Sequence, residues 1–278
     1  MSVAAREFTL QDRDFHYIAR LIREQAGIVI ADNKRELVYS RITRRLRELK
    51  LGSFSDYCRL LQDAQTGATE MEHFVNALTT NLTAFFREEH HFDYMERELL
   101  PTLLQDKTNQ RLRIWSAGCS SGEEAYSLAM IVAENVPDHW DTRILATELD
   151  SDILREAEAG IYPTSRIGRI SQGRLRRWFQ RGIGQHEGMV RVNPALRSLI
   201  SFRRLNLLHA WPFRGQFDII FCRNVVIYFD KDTQIKLFDR FADALHANGH
   251  LFIGHSESLY QKTDRFTLLG NTVYQRTR

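Results

Sequence analysis

The chain has 278 residues, of which 43% are hydrophobic and 26% charged, and a net charge of +3. That length suits one large domain or a large domain with a small one, and the composition is that of an ordinary soluble globular protein. The mild charge does not argue for nucleic acid, no 18-residue apolar run marks a membrane span, and Cys58, Cys119 and Cys222 form no C-x-x-C pair that would signal a disulfide framework or a zinc site. The opening M-S-V-A-A-R-E-F lacks an apolar signal core, so a cytoplasmic, reducing location is expected.

Residues 9–105 read as helices throughout. Helical apolar spacing runs over 12–26 (Phe15, Ile18, Leu21, Ile22) and stops at Gly27. It returns over 34–49 with Val38, Ile42, Leu46 and Leu49, then over 55–63, 69–78 and 88–105. The 34–49 helix is strongly basic, with Lys34, Arg41, Arg44, Arg45 and Arg47 followed by Lys50 and with Glu48 near its end. Usually such a run is a solvated face; here it also reads as a one-signed surface for an acidic partner. A polar linker over 106–111 separates this helical N-terminal domain, 1–105, from a second domain, 106–278.

In the second domain the period changes. Strand-like runs at 112–116, 143–148, 217–222 and 250–254 alternate with helices at 123–135, 151–159 and 232–246, which predicts a parallel sheet with crossover helices. Gly270-Asn271 between two apolar runs predicts a closing antiparallel hairpin. Almost sixty residues separate the helix at 151–159 from the strand at 217, too many for a loop. The β-like runs within them predict a small antiparallel insert at about 176–205.

The most informative stretch is R-L-R-I-W-S-A-G-C-S-S-G-E-E-A-Y-S, residues 111–127. A buried strand ends in a tight turn of small residues, then a helix opens on Glu123 and Glu124. Gly118 and Gly122 let backbone approach a ligand closely. A phosphate would favour a bare helix N-terminus, often with a lysine. Two carboxylates suit the helix dipole instead, and equally a ligand with positive charge and hydroxyls. S-adenosylmethionine is such a ligand. Glu148 and Asp150 end the second strand about thirty residues later, where an acid accepts both ribose hydroxyls of an adenosine. Arg223, Asn224 and Tyr228 follow the run F-D-I-I-F-C, and Asn81, Thr83 and Arg87 stand among apolar residues. Each trio would line a ligand cleft or be satisfied inside the fold.

Together, N-A-L-T-T-N-L-T-A-F-F-R-E, W-S-A-G-C-S-S-G-E-E-A-Y-S, C-R-N-V-V-I-Y-F-D and G-H-S-E-S resemble the chemotaxis receptor methyltransferase (CheR) family, in order and over nearly the whole chain. The resemblance implies an α/β fold: a Rossmann-like methyltransferase domain with a small antiparallel β-subdomain, preceded by an all-helical domain. The implied activity is S-adenosylmethionine-dependent methylation of receptor glutamates, with S-adenosylhomocysteine as product and no metal, serving chemosensory adaptation. By motif, Asn81, Thr83, Arg87, Glu124, Glu148, Asn206, Leu207, Arg223 and Asn224 match the family's cofactor contacts. On the mechanism that the resemblance implies, Arg87 orients the incoming glutamate or the cofactor carboxylate and Tyr228 lines the transfer site. A member of the family carries Asp where this chain has Glu148, and the longer side chain would shift adenosine slightly. The β-subdomain resembles a docking site for a receptor's C-terminal tail peptide, and residues 182–188 carry no extra residues relative to tail-binding members. The basic helix would dock on the acidic receptor bundle.

Two rivals follow from the same residues. An RNA methyltransferase would show base-stacking aromatics amid the basic residues, and the 34–49 helix has only Tyr39. A non-catalytic adenosyl-binding module would not need Arg87, Asn224 and Tyr228 together.

Overall fold

The computed structural model describes residues 6–277; the first five residues, part of the stretch without a signal core, lie outside the described residues. The chain divides into two compact units, one ending at Thr80 and including 228–230, the other made of 81–227 and 231–278.

The first unit is helical, with α1 (Asp12–Ala26), α2 (Arg35–Glu48), α3 (Phe54–Gln62) and α4 (Thr66–Leu78). Each helix buries its apolar stripe: Phe15, Ile18 and Ile22 from α1, Val38, Ile42 and Leu46 from α2, Phe54, Tyr57 and Leu61 from α3, Phe74, Val75 and Leu78 from α4. Helix α1 stops because Gly27 takes a left-handed φ of 71° and returns its N–H to the Arg23 carbonyl. Helix α3 starts where the Ser53 hydroxyl accepts from the Asp56 N–H at 3.1 Å.

The basic helix is not the bare cationic face that its sequence suggests. Arg35 pairs with Asp12, Arg44 with Glu48, and Arg47 with Glu7. Arg45 donates through Nε (2.9 Å) and a terminal nitrogen (2.7 Å) to buried Glu70, which also accepts from the Tyr57 hydroxyl. Arg41 reaches the Thr79 carbonyl and the Thr80 hydroxyl. Most of these partners lie outside α2, and for that reason the run looks one-signed when read alone.

The second unit begins with α5 (Glu89–Tyr94), a π-helical turn (Met95–Leu99) and α6 (Leu100–Asp106). This stretch belongs with the sheet rather than with the preceding helices. Its buried side chains, Phe92, Met95, Leu99 and Leu100, join Leu112, Phe221 and Phe252 in one apolar core. Then follow β1 (Arg111–Ala117), α7 (Glu123–Asn135), β2 (Asp141–Glu148), α8 (Ser151–Ala159), β3 (Ile161–Pro163), α9 (Gln172–Trp178), β4 (Phe179–Arg181), β5 (Met189–Val192), α10 (Pro194–Arg197), β6 (Ile200–Arg204), β7 (Phe217–Cys222), α11 (Lys231–Ala244), β8 (Leu245–Ile253), β9 (Phe266–Gly270) and β10 (Val273–Arg276).

Seven strands form the main sheet in the order β6-β2-β1-β7-β8-β10-β9. β6, β2, β1, β7 and β8 run parallel, and β10 adds antiparallel to β8 and pairs with β9 as the closing hairpin. Strand order reverses between β1 and β7, so the crevice beyond their carboxyl ends is where an α/β sheet of this type holds a ligand. Every residue of β7 is buried, as expected of a central parallel strand.

The insert is a second, three-stranded antiparallel sheet, β3-β5-β4. It begins earlier and ends earlier than the sequence suggests. β3 has three residues and ends on Pro163, too short to read as a strand, and Ile200 to Arg204 form β6, which pairs parallel with β2 in the main sheet. Among the described residues, no helix is long and apolar enough to cross a membrane.

Candidate active site

The turn after β1 folds back on the end of β2. The N–H groups of Gly118 and Cys119 both donate to the Thr147 carbonyl, at 2.8 and 2.9 Å. Gly118 and Gly122 are needed for positive φ, 88° and 94°, and for space. A Cβ at Gly118 would lie 2.4 Å from a Val225 methyl, and one at Gly122 would lie 2.9 Å from Ala157 Cβ. These glycines therefore make room for the protein's own side chains.

Glu148 closes the turn. Its Oε2 accepts from the Ser120 N–H at 2.9 Å, and its Oε1 accepts from Leu149 (2.7 Å) and Asp150 (3.1 Å). Burial pushes the Glu148 pKa up, outweighing the three N–H bonds that favour the charged form. Asp150 caps α8 by accepting from the N–H groups of Asp152 and Ile153, and its other oxygen accepts from the Asn81 amide at 2.7 Å. The Asn81 carbonyl in turn accepts from the Ser120 hydroxyl at 2.9 Å. After β6, the Leu205 N–H meets the Glu148 carbonyl at 2.9 Å, which brings Asn206 and Leu207 to the same edge. There the Asn206 side chain accepts from the Leu208 N–H, and the Leu207 carbonyl accepts from Arg240 and Trp211.

A second cluster forms beyond β7. Arg223, 6% exposed, donates through Nε to Glu124 at 2.8 Å and through a terminal nitrogen to the Arg87 carbonyl at 2.7 Å. Glu124 also accepts from the Ser116 hydroxyl at 2.7 Å. His91 Nδ1 takes a bond from Arg223 at 3.1 Å, while its Nε2 meets the Asn271 carbonyl at 2.8 Å. Burial, reinforced by the Arg223 charge, lowers His91 to about 4, so it is neutral at pH 7. Arg87 bends back to the Leu82 carbonyl at 2.8 Å. Thr83 lines a cavity of about 220 Å³ with Glu123, Arg166 and Arg169.

Nine of the candidate residues thus lie within the second unit. Tyr228 groups with the helical unit, where its carbonyl accepts from the Val29 N–H at 2.9 Å. Sequence reasoning gave no role to Glu88, His91 or Glu257. Glu88 follows Arg87 directly and accepts from His255 Nδ1 at 2.8 Å. Burial raises its pKa, but the His255 bond and the Arg223 charge win, leaving it below the ordinary carboxylate range. Glu257 stands in G-H-S-E-S, which was the available signal. Glu88, His90 and His91 are close enough to share a cation, but both His91 nitrogens are engaged and the Arg223 charge opposes one. Cys119 and Cys222 are buried, and burial holds both thiols well above their usual range, so neither is a nucleophile at neutral pH.

The donor set fits an adenosyl sulfonium. Glu123, Glu124, Glu148 and Asp150 surround the turn with no lysine among them, which disfavours phosphate and suits a cationic ligand bearing hydroxyls. Glu148 Oε1 already accepts two N–H bonds, but Oε2 accepts only the one from Ser120 and keeps an acceptor direction for a hydroxyl donor.

Comparison with known proteins agrees with this chemistry. The family described as "CheR methyltransferase, all-alpha domain" matches residues 13–79, and "CheR methyltransferase, SAM binding domain" matches residues 81–275. The chemotaxis protein methyltransferase of Escherichia coli K12 is 45% identical over 272 residues, covering 95% of this chain and 91% of its own. That of Salmonella typhimurium is 43% identical over 273 residues, covering 97% and 92%. Chemotaxis protein methyltransferase 2 of Pseudomonas aeruginosa is 43% identical over 271 residues, covering 97% and 95%. Matched along both units and to near full length, the chain belongs to the CheR methyltransferase family and is an S-adenosylmethionine-dependent methyltransferase of the chemotaxis type.

Proposed function

We propose that the protein transfers a methyl group from S-adenosylmethionine to glutamate carboxylates on the cytoplasmic part of methyl-accepting chemotaxis receptors, giving glutamate methyl esters. The observation that carries this reading is Glu148. It is a buried carboxylate at the end of β2, the strand next to β1, and is fixed by the turn after β1, which borders the point where strand order reverses. Asn81, Thr83, Asn206, Leu207, Arg223, Asn224 and Glu124 would complete the cofactor site around it. Glu124 would act there chiefly by orienting Arg223, since both its oxygens are engaged.

Bound S-adenosylmethionine supplies an electrophilic methyl group on a good leaving group. A receptor glutamate is already ionised at pH 7, so the chain need not supply a strong base. What it supplies is orientation and exclusion of water. Arg87, anchored on the Leu82 carbonyl, would use its remaining N–H groups to hold the incoming carboxylate. For Tyr228 the assignment rests on its place in the sequence just past β7, and Tyr228→Phe tests it. The tail peptide would dock on the β3-β5-β4 sheet. Support comes from charge: residues 161–204 carry ten arginines and one acid, Glu187.

The test is to incubate the protein with methyl-labelled S-adenosylmethionine and receptor-containing membranes, then treat the products with base. Label that enters receptor bands and leaves as methanol supports a carboxyl methyl ester. Label in RNA, or none despite cofactor binding, refutes it. Arg87→Ala should lower turnover ~100-fold while the protein still melts as wild type; unchanged turnover removes Arg87 from the site.

A further inference from the structure

We propose that Glu257 is a positioning residue for the ligand-facing end of β7: its buried carboxylate sets where Arg223 and Asn224 point. The proposal rests on the reading of Arg223 and Asn224 as cofactor contacts. Glu257 is 6% exposed, yet no cation pairs with it among the described residues. Backbone N–H groups from two strand ends converge on it instead. Its Oε2 accepts from Gly254, just beyond β8, at 2.6 Å and from Asn224, beyond β7, at 3.0 Å. Its Oε1 meets the Ile227 N–H at 3.4 Å. A carboxylate is the side chain that offers acceptors alone; glutamine would turn a donor toward these donors.

The loop it holds has little freedom elsewhere. Asn224 sits at a left-handed φ of 58°, a region that Asn tolerates better than most side chains. A Cβ at Gly254 would lie 2.5 Å from the Asn224 side-chain nitrogen and 2.9 Å from its backbone nitrogen, so only glycine permits this packing. One residue earlier, Arg223 is locked by Glu124, the Arg87 carbonyl and His91. Glu257 thus pins the backbone at the one point from which both side chains diverge. Its own oxygens face backbone donors, which makes it a positioning residue rather than a ligand contact.

The experiment is calorimetric titration of the full chain with S-adenosylhomocysteine, which needs no receptor. Glu257→Gln strands buried N–H groups, and Gly254→Ala displaces Asn224 while keeping the carboxylate. Each should weaken binding ~tenfold in protein that still melts cooperatively near the wild-type temperature. Asn224→Ala should weaken binding to a similar extent, and adding Glu257→Gln to it should cost little more, because the two act through one loop. Wild-type affinity in Glu257→Gln overturns the proposal, as does full multiplication of the two effects. If Glu257→Gln does not fold, Gly254→Ala decides, and wild-type affinity there overturns it. Wild-type affinity in Asn224→Ala sinks instead the reading of Asn224 as a contact. Protein that binds the product yet esterifies no receptor sinks the substrate reading alone.

Discussion

Helix α2 and the stretch 161–204 are both arginine-rich in sequence, but the structure uses their charges in opposite ways. Four of the five arginines in α2 reach a carboxylate, and Arg41 reaches a carbonyl and a hydroxyl. In 161–204, Arg174 pairs with Glu134 and Glu96, and Arg166 lies 3.4 Å from Glu123. Arg169, Arg176, Arg177, Arg181 and Arg191 meet no carboxylate among the described residues. A charge run is therefore available to a partner only when the rest of the chain brings it no acids. Counting residues within the run cannot reveal that.

The sharpest way to break this contrast is Arg45→Ala. Arg45 and Glu70 are 15% and 6% exposed at their side chains, and the bond is two-pronged. Removing the arginine leaves Glu70 as a buried charge with only the Tyr57 hydroxyl and should cost about 3 kcal/mol. Urea unfolding of the variant measures it. A loss under ~0.5 kcal/mol, the usual range for surface changes, would mean that α2 holds its charges loosely after all.

The second test takes the other stretch. Arg176 and Arg181 edge a cavity of about 470 Å³ floored by Ile167, Ile170, Leu175 and Phe179. Arg176→Glu with Arg181→Glu should leave unfolding free energy within about 0.5 kcal/mol of wild type, since neither residue holds an internal ion pair. Binding of an acidic receptor tail peptide should weaken ~tenfold at low salt, and less at high salt. Peptide affinity unchanged by both substitutions would show that the free arginines of this stretch do not recognise the tail.

The same distinction explains which parts of the molecule could be read in advance. Strands β1, β2, β7 and β8 were legible because central parallel strands are apolar runs bounded by turns. The β9–β10 hairpin was legible from Gly270-Asn271. What a run pairs with was not: Ile200 to Arg204 looks like a strand of the insert and is an edge of the main sheet. Likewise α5 and α6 read as helices, but nothing local says that Phe92 and Leu99 pack on the sheet. At the site, Glu148 and the turn could be placed because strand ends and small-residue loops carry local marks. The Glu124–Arg223 bond spans 99 positions, and the convergence on Glu257 links a motif to a loop 33 residues away. Those contacts belong to tertiary geometry: the sequence marks Glu124 and Arg223 separately, and for Glu257 only the resemblance points to its vicinity.

The smallest expected effect is also the most direct test of whether α2 docks on receptors. Arg44 is 84% exposed at its side chain and, among the described residues, bonds only to Glu48, one turn on, at 3.0 Å. Such a pair stabilises a helix by about 0.3–0.5 kcal/mol, and a like-charge pair destabilises by a similar amount. Arg44→Glu should therefore cost under ~1 kcal/mol of stability and leave product affinity unchanged. If the exposed cation Arg44 of α2 and the flanking Lys34 and Lys50 steer an acidic receptor bundle, receptor methylation should slow ~threefold at low salt and recover toward wild type as salt rises. A rate equal to wild type at every salt concentration would remove α2 from the interface.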